Sequence, residues 1–172
     1  MADTFTLYGA SIACGATKSL LALFNGVGSG VVLKIKRVQV LNAQLTAVTG
    51  TTGQIELRGI SADSAGTAVV PTKHVPTQAS LPAQVVMNTG GTVVNQTNSL
   101  LFRQGWSNDE PAAGGAGMDE WENIPSWTTI FEAVGDALIQ GYTLREGFGL
   151  SVTTATTPAV GTIDVRIEFV KV

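Results

Sequence analysis

The stretch Thr162-Ile-Asp-Val-Arg-Ile-Glu-Phe169 decides the fold class. Its apolar residues, Ile163, Val165, Ile167 and Phe169, alternate strictly with Thr162, Asp164, Arg166 and Glu168. Successive side chains of a strand point to opposite faces, so the pattern predicts one buried face and one wet face. On that reading Arg166 faces water, and its truncation should cost less than about 0.5 kcal/mol. Upstream, Phe148, Leu150 and Val152 alternate with Gly147, Gly149, Ser151 and Thr153, and the connector 154–161 is rich in turn residues.

Further out, Ile55 and Leu57 alternate with Gln54, Glu56 and Arg58 behind a loop at Thr49-Gly-Thr-Thr-Gly53, read as a hairpin loop. These three alternating runs should face one core between two antiparallel sheets. In 31–42 the apolar parity shifts from odd (Val31, Leu33, Ile35) to even (Val38, Val40) across Lys36-Arg37. A β-bulge produces such a shift, as does a strand that passes from one sheet to another. Ser19 to Phe24 reads as a strand stopped by Asn25-Gly-Val-Gly-Ser-Gly30. Phe5 and Leu7 mark a short first strand, or an arm within residues 1–18. Residues 83–87 and 91–94 read as a hairpin about Asn88-Thr-Gly90, and 100–106 and 127–131 as further strands. Two long segments interrupt the series: 61–82, with Pro71, Pro76 and Pro82, and 108–125, with a glycine-rich centre. Residues 133–140 fit one helical turn or a shorter loop, and a loop is expected. Many short strands with turns between them imply an all-β sandwich or barrel, read as a single domain over 1–172.

The 172 residues suffice for a core without staples. Charged residues are 13%, against about 25% for an ordinary soluble domain, while glycine (20 residues) and β-branched residues are abundant. Net charge is −3 and the basic residues are scattered, so no nucleic-acid footprint is expected. No apolar run approaches the roughly 20 residues of a spanning helix, so no membrane partner is expected either. The start of the chain lacks the pattern of a secretory signal, and Asn95-Gln-Thr97 is then read as a chance sequon. Cys14, the single cysteine, reads as a small buried hydrophobe in a chain that folds in a reducing cytoplasm.

Motifs for chemistry are sparse. The single histidine, His74, sits between Pro71 and Pro76 and reads as a loop residue without the partners of a catalytic base. Gly26-Val-Gly28-Ser-Gly30 and Gly147-Phe-Gly149 precede no helix and carry no Gly-Lys-Ser/Thr, so their amides are not expected to converge on an anion. Asp109, Glu110, Asp119, Glu120 and Glu122 match no calcium loop and read as a solvated acidic loop. No enzyme, cofactor or metal is expected. Trp106, Trp121 and Trp127 fall in or beside the second long segment, as loop anchors, contact residues or sugar-stacking platforms. With His74 they are the candidate interface residues, and Trp121, flanked by Glu120 and Glu122, is the foremost anchor.

Two segments carry a resemblance. Leu33-Lys-Ile-Lys-Arg-Val-Gln-Val-Leu-Asn42 with Gln54-Ile-Glu-Leu-Arg58 resembles the early strands of small jelly-roll virion proteins of tailed bacteriophages. Leu144-Arg-Glu-Gly-Phe-Gly-Leu150, with the final alternating strand, is similar to their closing hairpin. The resemblance covers about half the chain and none of 61–125. It implies a jelly-roll β-sandwich of two antiparallel sheets with long loops. It also implies a decoration or cement protein on the outside of a phage head, often a homotrimer, with the major capsid protein as partner. Such a protein assembles in the host cytoplasm and resides in the virion. Jelly rolls also serve as tail, fibre or receptor-binding modules, some of them carbohydrate-binding, and that reading stands beside the first.

Overall fold

The computed structural model describes residues 3–15, 19–42, 52–107, 127–135, 141–155 and 161–172. Among them are twelve strands and no helix: β1 (Asp3–Ala13), β2 (Ser19–Asn25), β3 (Leu33–Asn42), β4 (Thr52–Ser64), β5 (Thr67–Ala68), β6 (Thr72–Lys73), β7 (Val85–Thr89), β8 (Thr92–Ser107), β9 (Thr128–Glu132), β10 (Tyr142–Leu144), β11 (Phe148–Thr154) and β12 (Thr162–Lys171). They form two six-stranded antiparallel sheets. The first runs β6-β1-β12-β3, and the far edge of β3 is shared by β10 along Leu33–Ile35 and β9 along Arg37–Val40. The second runs β5-β7-β2-β11-β4-β8. Residues 3–13 are therefore a full strand, held between β12 and β6.

The expected alternation packs the space between the sheets. Ile163, Val165, Ile167 and Phe169 meet Phe5, Leu7, Leu33, Ile35, Val38 and Val40 from the first sheet. Leu20, Leu21, Leu23, Ile55, Leu57, Leu150 and Val152 come from the second. Phe5 and Phe169, opposite one another in register, stack with ring centroids 5.4 Å apart. The parity shift in β3 is a bulge: Glu168 pairs with Arg37 but Phe169 with Ile35, so Lys36 is the extra residue and is exposed. Phe148 departs from its run. It is 47% exposed because it opens β11 at the end of the sandwich, opposite Asn25.

Three expected hairpins are absent. β3 and β4 lie in different sheets, as do β11 and β12. β7 pairs with β2 and β5, and β8 pairs with β4, so the turn at Asn88–Gly90 joins strands that do not pair with each other. Turn residues mark where a chain reverses. They do not say whether it returns within the same sheet or arches across to the other.

The segment 61–82 is more ordered than its prolines imply. β4 continues to Ser64 and stays paired with the start of β8 through register shifts at Leu57/Arg58, Arg58/Ile60 and Ile60/Ala62. These bulges bend the β4–β8 ribbon over the outer face of the second sheet. Asp63 thereby accepts a 3.0 Å hydrogen bond from Asn88 of β7, three strands away. Ala22 and Ser151 are fully buried although they alternate with core residues and so face away from the core. The chain then adds β5 to the edge of one sheet and β6 to the edge of the other, closing that side of the sandwich.

Ile167 is fully buried between the sheets, so Ile167→Ala should lower unfolding free energy by about 2–5 kcal/mol. Gln104→Ala, exposed on the edge strand β8, should stay within about 0.5 kcal/mol. Chemical denaturation of both variants checks the register. Equal effects would place β12 one residue out.

Candidate functional site

The outer face of the first sheet is the most chemically elaborate surface among the described residues. Register sets it out in rows. Tyr8 lies opposite Arg166, which lies opposite Gln39, which lies opposite Thr129. The next row is Thr6, Glu168, Arg37 and Glu132. Arg166 Nε donates to Gln39 Oε1 at 3.1 Å, and Gln39 Nε2 donates to Thr129 Oγ1 at 2.9 Å. Arg37 Nη2 bridges both oxygens of Glu168 at 3.0 and 2.9 Å, with Glu132 at 3.8 Å. Tyr8 donates to Asp164, whose other oxygen accepts the Ser11 amide at 2.6 Å. That bond holds Ser11 at φ 47°, a left-handed conformation inside the bulge of β1.

Trp127, just before β9, covers this network. Its ring lies 5.1 Å from the Arg166 guanidinium carbon and meets Tyr8 edge-on with centroids 5.9 Å apart. The face read as wet is thus largely buried: Asp164 and Glu168 are each only 7% exposed. Arg166 is correspondingly not a bare surface residue. Two arginines (Arg37, Arg166) face three carboxylates (Asp164, Glu168, Glu132), which leaves the cluster with one excess negative charge.

His74 reaches the same face from the other side, with Nε2 2.7 Å from Thr6 Oγ1. A hydroxyl beside an imidazole resembles part of a hydrolytic triad, but Nδ1 has no orienting carboxylate among the described residues. The structure therefore sets Trp127 and His74 on one sheet face. Trp106 lies apart, on β8 opposite Gly53 in the second sheet. Trp121 and the acidic loop 109–122 fall outside the described residues. Cys14 is half-buried, packed against the core. No group of three or more metal-ligating side chains occurs among the described residues.

Sequence reasoning missed Tyr8, Arg37, Gln39, Asp164, Arg166 and Glu168 as one cluster. The signal was their placement at alternate positions of three strands, legible only once the strands are known to be neighbours. The glycine turn is also corrected. Gly28 and Gly30, at φ 82° and 67°, direct their amides onto the Glu146 carboxylate at 3.1 and 2.7 Å. An anion-binding turn exists, and the protein's own side chain fills it.

No known protein family matches the sequence, and no characterised protein is detectably similar to it.

Two predictions follow from the electrostatics. The hydrogen bond to Asp164, then burial and the Asp164 charge, push the Tyr8 hydroxyl up to about 12 against a partial offset from Arg166. The fold therefore favours neutral Tyr8, a contribution complete below pH 10.0 and lost as pH rises through about 12. In an alkaline titration of tyrosinate absorbance, Asp164→Asn should return Tyr8 toward 10.0. Separately, the Gly28 and Gly30 amides hold the Glu146 carboxyl below its ordinary value of 4.5. That stabilisation is present above pH 4.5 and lost as acid protonates Glu146 in the folded state. Glu146→Ala at neutral pH should lower the hydrogen-exchange protection factors of the Gly28 and Gly30 amides, and acid should lower the same factors, taken relative to the intrinsic rate at that pH, in the unmodified protein.

Proposed function

We propose that this chain is a non-enzymatic structural protein of a tailed-phage virion: a jelly-roll decoration protein that binds the outside of the head. The supporting observation is the order of the main strands, β1-β12-β3-β9/β10 in one sheet and β2-β11-β4-β8 in the other. The chain changes sheet at each step from β1 to β4 and again from β10 through β11 to β12, with β4 and β8 paired between; β12 inserts between its first and third strands and β11 between its second and fourth. That interleaving is the pattern of a jelly roll, an architecture that recurs in viral coat proteins and lectins. β5, β6 and β7 are then an insertion between the fourth and fifth main strands.

Fold does not by itself give function. The capsid reading draws on the resemblance of 33–42, 54–58 and 144–150 to phage jelly-roll proteins, and on contact chemistry at the outer face of the first sheet. Tyr8, Trp127 and Arg166 are the residue types that dominate binding at protein interfaces, here held rigid by a buried polar network. The partner is the major capsid protein, and the protein joins the virion during assembly in the host cytoplasm. The chain self-associates as a homotrimer, an order taken from the resemblance.

Co-sedimentation with empty heads of the source phage tests this directly. Saturable binding is expected, and Trp127→Ala should weaken it by about 2 kcal/mol, roughly thirtyfold, in a variant shown by circular dichroism to be folded at the temperature of the assay. Attachment to host cells with no affinity for heads would replace the decoration reading by that of a tail or receptor-binding module. Light scattering should report three copies per particle, and a monomer both free and on heads would remove the trimer.

A further inference from the structure

Where the β4–β8 ribbon crosses the second sheet it leaves a cleft of about 480 Å³, within the roughly 300–1,000 Å³ of small-molecule sites. Its floor is Gln54, Glu56 and Arg58 of β4 with Thr153, Thr154 and Ala155, and Arg103, Val93 and Asn95 of β8 form the walls. All but Val93 and Ala155 are polar.

Glu56 is 3% exposed and lies between two guanidinium groups. Arg58 pairs with one carboxylate oxygen, and Arg103 with the other through Nε at 2.6 Å and through Nη2. Burial pushes the Glu56 carboxyl up, but the hydrogen bonds from Arg58 and Arg103 outweigh it and hold the group below its ordinary 4.5. Glu56 is therefore ionised at neutral pH, and one carboxylate against two arginines leaves the cleft one positive charge. Both terminal nitrogens of Arg58 and Nη1 of Arg103 have no acceptor among the described residues. The cleft is thus rich in unspent donors, with amides and a hydroxyl beside them.

From this cleft we infer a binding site for a small polyhydroxylated carboxylate, of the sugar-acid class. One net positive charge matches a monoanion, and a planar carboxylate fits a guanidinium fork. The hydroxyls would meet Gln54, Asn95 and Thr153, side chains that both donate and accept. A dianionic phosphate is matched less well, because Glu56 stays charged within the same cleft. The site lies on the sheet opposite Trp127 and does not depend on the capsid reading.

Calorimetric titration of the full chain at neutral pH with D-glucuronate, D-glucose and acetate tests this. Glucuronate should saturate with a dissociation constant on the order of 1 mM or tighter, and glucose and acetate should each bind at least about tenfold more weakly. Arg103→Gln should weaken glucuronate by about tenfold or more, and so should Asn95→Ala, an exposed position whose loss leaves the Glu56 ion pairs intact. Trp127→Ala should bind glucuronate unchanged, which separates this site from the proposed capsid contact. Lack of saturation by about 10 mM overturns the inference. So does acetate equal to glucuronate, which marks an adventitious anion only, or glucose equal to glucuronate, or unchanged affinity in either variant.

Discussion

Everything in the first sheet depends on β12 being paired along both edges. β1 runs beside it from Asp3 to Ala13 and β3 from Leu33 to Asn42, so its backbone groups are satisfied on either side. Its side chains then have only two destinations. Ile163, Val165, Ile167 and Phe169 go to the core, where all four are at most 1% exposed. Asp164, Arg166 and Glu168 go to the other face, where tyrosine, glutamine and arginine from the neighbouring strands meet them in register. A slip of one residue would put three charges in the core and four large apolar groups outside. That double penalty fixes the register of the sheet.

The charged face is costly to build. Removing carboxylates from water is unfavourable unless partners replace the lost hydration, and Asp164 and Glu168 are both nearly buried. Each has its replacement: Tyr8 and the Ser11 amide for Asp164, a two-point contact from Arg37 for Glu168. The Trp127 ring covers Arg166 and lowers local exposure to water, which strengthens the interactions beneath it. The result is a surface with few freely moving side chains. A rigid surface loses little conformational entropy when a partner lands on it, which suits a protein whose proposed work is contact.

The second sheet solves a different problem. Its strands β2 and β11 carry small residues, Ala22, Gly149 and Ser151, on the face away from the core. Added bulk would be hard to place at Gly149, where a Cβ would lie 2.6 Å from the Leu23 carbonyl oxygen. Small residues leave room for the β4–β8 ribbon to cross that face, where Ser19 and Ser151 are fully buried and their hydroxyls bond at 2.8 Å. The polar cleft is a by-product of this crossing. Glu56, Arg58 and Arg103 line it together with Val93 and Asn95 from the start of β8.

The sequence by itself determined that the chain is all-β, which faces of β3, β4, β11 and β12 enter the core, and where the parity of β3 shifts. These follow from period-two alternation, a local property that burial enforces on each strand separately. That the shift is a bulge and not a change of sheet came from the pairing with β12. Neither strand neighbours nor sheet membership were legible, because turn residues between β3 and β4, or between β7 and β8, serve a hairpin and an arch equally well. The clustering of Tyr8, Arg37, Gln39, Asp164 and Arg166 was hidden for the same reason: residues 127 to 156 positions apart in sequence become neighbours only through register. His74 and Trp127 were singled out as residue types, but only the tertiary structure set them on one face. The Gly28–Gly30 turn was judged from the absence of a following helix, whereas its anion comes from Glu146, 118 and 116 residues away in the chain. Alternation acts within one strand and can be read along the chain. Pairing acts between strands, and only the folded chain decides which of them meet.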